Sequence, residues 1–231
     1  MKIEKAVLGA DALDQSHWYR VGSIAALALG IGYVIIIPLY ARVGAPPSGG
    51  GEAWFSYLPG KTTIWWAILG LSVFTDFLYV PLALALYLAL KSINKYLTLL
   101  AAAFIGLFVV LDLAVTWTHY ASILTLYGKY SMAVMDAQRA AYLAGANYAS
   151  AILASRLEVV YAIVTLSLGI LLTAFIMLRG SFDKITAWLG MATGILGIAA
   201  LTGSGLAIIG NAVFATLWLF AVGYRLHRLA A

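Results

Sequence analysis

Four ionisable side chains stand where the rest of the chain is almost free of charge. Asp76, Asp112 and His119 interrupt long apolar runs, and Glu158 opens another, two residues after Arg156. A charged group at mid-membrane costs about 2.5–3.5 kcal/mol on insertion scales, so each needs a partner or a purpose. In 96–128, Asp112, Thr116, His119 and Ile123 recur at the 4-3-4 spacing of one helical face, with Tyr120 beside them. In 62–90, Ser72, Asp76, Tyr79, Ala83 and Tyr87 do the same, and Tyr161 and Thr165 share the face of Glu158. Three polar stripes therefore face something other than lipid.

Three kinds of chemistry are open to such stripes. They suit recognition of a small polar or amphipathic ligand, or passage of a proton or ion by way of Asp76 and Asp112. They also suit acid–base work by His119 with Asp112 or Glu158. A purely architectural role is the bland counterpart: an Asp112–Arg156 or Glu158–His119 pair would hold helices in register without any activity. Arg156 is the cation expected nearest the two aspartates. Pro81 has no N–H and frees the carbonyl of Phe77, so a kink with a polar notch is expected beside Asp76.

Composition removes other chemistries. There is no cysteine, which excludes thiolate catalysis, iron–sulfur ligation and thioether haem attachment. His119 is the one histidine inside an apolar run, His17 and His227 lying at the ends of others, so a buried bis-histidine haem lacks its second ligand. No H-E-x-x-H, phosphate loop, dinucleotide fingerprint or G-x-S-x-G elbow is present. No metal site is expected, no cofactor is implied, and an enzyme ranks behind a binding or structural role. The net charge of +5 comes from basic residues scattered at the ends of apolar runs. That is an orientation signal, and no nucleic-acid partner is expected.

The elements that must position these residues are membrane helices. Of 231 residues, 64% are hydrophobic and 10% charged, against about a quarter charged in soluble domains. Lipid must be the solvent, and one transmembrane helical domain over 1–231 is expected. The apolar runs predict an all-α bundle of six spans, at about 18–41, 62–90, 95–126, 156–179, 184–203 and 206–227. The run 185–224 is too long for one helix, and Thr202-Gly203-Ser204-Gly205 is where it should fold back. Glycines 190, 194, 197, 203 and 210 are expected to allow close helix packing. The stretch 131–155 reads as a helical segment on the outer surface, loosened near Gly145 and Asn147.

Residues 1–20 mix Lys2 and Lys5 with Glu4, Asp11 and Asp14, unlike a removable signal peptide, so the first helix is expected to remain as an anchor. More basic residues fall on one side of this frame (Lys2, Lys5, Arg20, Lys91, Lys95, Arg179, Lys184, Arg225 and Arg228) than on the other (Arg42, Lys61, Lys129, Arg139 and Arg156). This places both termini in the cytoplasm of a multi-pass protein of the cell membrane. Trp54, Trp65, Trp66, Trp117, Tyr120 and Tyr127 are then expected as anchors at the outer interface, with Trp18, Tyr19, Trp188 and Tyr224 near the inner one. The longer loops, 42–61 and 129–156, lie outside, so a site should open outward.

At 177–198 the chain reads MLRGSFDKITAWLGMATGILGI, a helix end, a short polar turn, then Trp188-Leu189-Gly190 and Gly194. The stretch Trp218-Leu219-Phe220-Ala221-Val222-Gly223-Tyr224-Arg225-Leu226 follows near the end. These two segments resemble one prokaryotic six-span integral membrane family of unknown function. The third span departs from that pattern, with Phe104 and Gly106 where the family often carries Arg and Glu. The resemblance implies six spans and no activity.

The functional expectation is a membrane protein that binds or transports a small polar or amphipathic ligand in an outward-opening cavity between helices 2, 3 and 4. Asp76, Tyr79, Asp112, Thr116, His119, Arg156, Glu158 and Tyr161 would line it. The alternatives are an accessory subunit of a larger membrane complex and a membrane-embedded acid–base enzyme. The expected partners are the lipid bilayer, a small-molecule or lipid ligand, and other membrane subunits or further copies of the chain.

Overall fold

The computed structural model describes residues 2–180 and 182–231, with side chains from residue 15 onward except at 181. The described residues are helical almost throughout. Five helices are long and apolar enough to cross a membrane: Gln15–Val43, Thr62–Met132, Arg156–Met177, Lys184–Thr202 and Gly205–Leu229. Six separate spans were expected, and the difference lies in Thr62–Met132. Straight, its 71 residues would run about 105 Å, far beyond a hydrocarbon layer of about 30 Å. It is not straight. Asn94 leaves the helical region (φ −154°, ψ 95°), its side chain accepts the N–H of Leu97 at 3.1 Å, and its carbonyl accepts the Thr98 hydroxyl at 2.7 Å. Asn94 thus caps a new helix inside a nominally continuous one. The two limbs lie side by side, because Tyr79 and Phe108 pack edge to face with centroids 5.5 Å apart.

In chain order, α1 is Lys2–Val43, α2 is Gly51–Tyr57 and α3 is Thr62–Leu111, with its limbs either side of Asn94. A π-helical turn, Asp112–Trp117, joins α3 to α4, Thr118–Met132. Next come α5, Asp136–Leu153, and α6, Arg156–Val159, which a second π turn, Val160–Val164, joins to α7, Thr165–Met177. The bundle closes with α8, Lys184–Ala199, and α9, Gly205–Leu229. Gly203, at φ +76°, makes the reversal between them that the sequence pattern anticipates.

Two corrections concern the connections. The segment expected on the outer surface is an unbroken 18-residue helix, α5, running through Gly145 and Asn147 without loosening. Asn147 is used instead as an acceptor for the Gly51 N–H at 2.6 Å, while the Ser150 hydroxyl donates to the Gly49 carbonyl at 2.6 Å. Those bonds dock α2 onto α5. Among the glycines, Gly190, Gly194 and Gly197 are buried at helix contacts, and a Cβ on Gly194 would meet the Leu171 Cβ at 2.6 Å. Gly203 has nothing within 4 Å, so it serves the turn and not packing.

Buried residues form two apolar clusters. One, toward the termini, gathers Leu29, Leu82, Leu86, Ile105, Phe108, Ile170, Trp218 and Leu219. The other, at the α2–α5 end, gathers Val43, Trp54, Phe55, Trp65, Ile68, Ile123 and Leu124. Along the first limb of α3, Ser72, Thr75 and Asp76 fall between Ile68 and Leu82. Along the returning chain, Asp112 and Thr116 fall between Phe108 and Ile123. A buried polar layer therefore separates the clusters.

At the terminal end, Asp183 accepts the Thr186 N–H at 2.7 Å, capping α8, and forms an ion pair with Arg225 of α9. Partial burial pushes its carboxyl up, but the Thr186 N–H, the Arg225 guanidinium and the Thr186 hydroxyl outweigh that and hold it below the usual aspartate range. A carboxyl lowered in the folded state stabilises the fold above its unfolded pKa, and this stabilisation is lost as pH falls through the folded value. Asp183→Asn should therefore flatten the acid limb of a pH–stability curve in detergent. An unchanged acid limb would show that the cap and the ion pair contribute nothing.

Candidate functional site

The polar layer is built by chain reversal and by a local change of helix type. Asp76 lies mid-way along the first limb of α3 and Asp112 opens the first π turn, and reversal at Asn94 brings the two together. They share one donor. The Trp117 indole N–H points at Asp76 Oδ2, 2.9 Å away, and at Asp112 Oδ2, 3.0 Å away. Trp117 stands five residues after Asp112, a separation that aligns side chains in a π turn of about 4.4 residues but not in an α-helix. The Thr118 hydroxyl closes the distortion by donating to the Leu113 carbonyl at 2.8 Å. Thr165 does the same for the second π turn, donating to the Val160 carbonyl at 2.7 Å.

Both aspartates are deeply buried, Asp76 at 3% and Asp112 at 4% exposure. Asp112 Oδ1 has no hydrogen-bond partner among the protein atoms. One turn on, Thr116 donates to Glu158 Oε1 at 3.4 Å, bringing the third acid to the edge of the pair. On the other side, the Tyr79 hydroxyl meets the Tyr33 hydroxyl of α1 at 2.7 Å. Asp76, Asp112, Thr116, Glu158 and Tyr79 thus come together as the sequence stripes suggested, whereas Tyr161, half-buried in the second π turn, makes no hydrogen bond to them.

Two expected members are elsewhere. Arg156 is exposed and pairs with none of the acids; among the described residues the ion pair that forms is Asp183–Arg225. The His119 Nδ1 sits 2.6 Å from the Val115 carbonyl, to which it must donate, and its ring packs near Tyr148 of α5. The residue added by the π turn rotates everything after it, so the 4-3-4 face read from the sequence is broken between Thr116 and His119. Pro81 lies within α3, whose residues are helical on both sides of it, and the one residue of α3 outside the helical region is Asn94.

A second correction concerns the aromatic residues. Trp54 and Trp65, expected at the lipid interface, are buried in the protein at 2% and 0% exposure. Trp65 stacks on Tyr120 at 5.1 Å and meets Tyr40, Trp54 and Tyr57 edge-on, and Tyr120 packs 5.6 Å from Trp117. Through Tyr120 these rings pack against Trp117, the donor to both acids, and so form an aromatic lid on that side of the pair. Trp66 and Trp188, by contrast, are 43% and 61% exposed. The two surface hollows described lie away from the acids, one at Lys184, Trp188 and Phe214 and one at Thr118, Ser122 and Thr125.

Sequence reading missed Trp117 as the shared donor, and it missed the side chains that α1 brings to the site. The spacing of Tyr33 and Tyr40, two helical turns apart in an otherwise apolar span, was the available signal. For Trp117 there was none, because nothing in the chain announces the π turn. Among the described residues, no group of three or more histidines and acids is placed to hold a metal ion. No family model, no curated protein and no solved structure matches the chain.

Proposed function

We propose that this is a six-span protein of the cell membrane, with both termini cytoplasmic, that binds or transports a small polar or amphipathic ligand. Six crossings follow if the limbs of α3 on either side of Asn94 each span once, leaving α2 and α5 on the outer face. The ligand site is the layer of Asp76, Asp112 and Glu158, reached from outside beneath α2. One observation carries the reading: two buried carboxyls share a single indole N–H, and no cation among the described residues pairs with either. Bracing between helices is achieved at lower cost by amides and hydroxyls, so acids left without a counter-charge at this depth favour a role in binding. Access requires α2 to move. It is tethered through Gly44 and Gly60, both at positive φ, and held by the Asn147 and Ser150 hydrogen bonds.

Asp112→Asn keeps the shape of the side chain and removes its charge. It is expected to lower occupancy of any co-purifying small molecule at least about tenfold, equivalent to about 1.4 kcal/mol, while the unfolding midpoint stays close to wild type. Native mass spectrometry of the gently purified protein reads the occupancy. Undiminished occupancy in the variant would remove the acid pair from the site.

A further inference from the structure

The acid pair also has a shape suited to one particular cation. Two buried carboxyl groups accept from the same N–H, so their oxygens converge, and two negative charges so placed repel strongly in a medium of low dielectric. The groups facing them supply no positive charge. Tyr33 and Tyr40 come from α1, Tyr79 from α3, Tyr120 from α4 and Glu158 from the α6 turn. Arg156 is exposed, and His119 is bound to the Val115 carbonyl. A metal ion would need a converging set of ligands, which the described residues do not provide. Rings packed 5.1–5.8 Å apart above the pair leave an organic cation no space until the lid moves. A proton needs no room, and Asp112 Oδ1, buried without a partner, is free to carry or pass one.

We propose that Asp76 and Asp112 form a proton-binding site, in which one exchangeable proton is held between the two carboxyls under the Trp117 N–H. The inference rests on reading this layer as the functional site, and names the species it takes up. In the loaded state one aspartate is a carboxylic acid and the other a carboxylate. On release, the proton leaves Asp112 for the Thr116 hydroxyl, which neighbours that carboxyl one helical turn on and passes its own proton to Glu158 Oε1, 3.4 Å away. Thr116 can do this because a hydroxyl both accepts and donates. Glu158 lies within three residues of exposed Arg156, so the relay ends near the outer surface.

Infrared difference spectroscopy of the full chain in lipid nanodiscs tests this. The wild type should show one protonated-carboxyl stretch that shifts on exchange into heavy water and fades as pH rises. Asp76→Asn and Asp112→Asn should each change the frequency and the pH midpoint of the band or remove it, since the remaining acid no longer shares its proton with a second carboxyl, and Glu158→Gln should leave the band as it is. A band lost only in Glu158→Gln, or unchanged in frequency and midpoint in either aspartate variant, overturns the shared proton. If a variant does not fold, the wild-type spectrum decides, because the absence of any exchangeable carboxyl band also overturns it. A wild type with the band but no bound small molecule would defeat the ligand reading and leave the proton site standing; a bound molecule without the band would do the reverse.

Discussion

Trp117→Phe, which keeps an aromatic ring but removes the N–H, is expected to destabilise the protein by about 3 kcal/mol. A hydrogen bond to a charged group contributes about 1.5–3 kcal/mol, and this indole supplies one donor to two buried carboxyls. Removing it leaves both oxygens without a donor in a layer already holding one unpartnered carboxyl oxygen, Asp112 Oδ1. The effect should depend on the acids. In Asp76→Asn the new amide can donate to Asp112, so adding Trp117→Phe to that background should cost at least about 1 kcal/mol less than in wild type. Reversible denaturation in mixed micelles, run as a double-mutant cycle, measures both numbers. A Trp117→Phe effect below about 0.5 kcal/mol would mean that the indole does not hold the pair.

The second large effect separates two adjacent tryptophans. Trp65→Ala should cost about 3–5 kcal/mol, the range for deleting a large buried aromatic, whereas Trp66→Ala should cost less than about 1 kcal/mol. Trp65 has no exposed surface, stacks on Tyr120 and donates its N–H to the Tyr57 hydroxyl at 3.2 Å. Trp66 is 43% exposed and faces away from the bundle. If both tryptophans were interfacial anchors, as composition suggests, the two variants would lose similar, small amounts. Equal losses in thermal unfolding would therefore argue against the buried lid. Because the lid covers the acid pair, Trp65→Ala should also speed heavy-water exchange of the carboxyl band.

The aromatic case shows where sequence reasoning reaches its limit. Trp and Tyr near the ends of apolar runs suit headgroup depth, and the chain offers no mark that distinguishes a ring facing lipid from one facing α1. The distinction arises only when Gly49 and Gly51 let α2 settle against α5, pressing Trp54 into the gap between Trp65 and Tyr120. Depth was legible in the sequence; direction around the helix axis was not.

Hydropathy alone determined that the protein is an all-α bundle, because an unpaired backbone in lipid forces helices and long uncharged runs mark them. It also determined that Asp76 and Asp112 lie near one level, since charge in such runs must face inward and the order of helices sets their depth, with Glu158 nearer one end of its run. The 91–95 stretch was readable as a reversal point, because two lysines and an asparagine there interrupt the apolar pattern. What only the tertiary structure decided is which neighbour each acid has. That choice turns on the π turn at Asp112–Trp117, which shifts the side-chain register from four residues to five. The shift puts Trp117 between the carboxyls and turns His119 toward α5. A π turn is stable only where packing from outside the segment compensates for its weaker backbone geometry, so its position is a property of the assembled bundle and not of the local sequence.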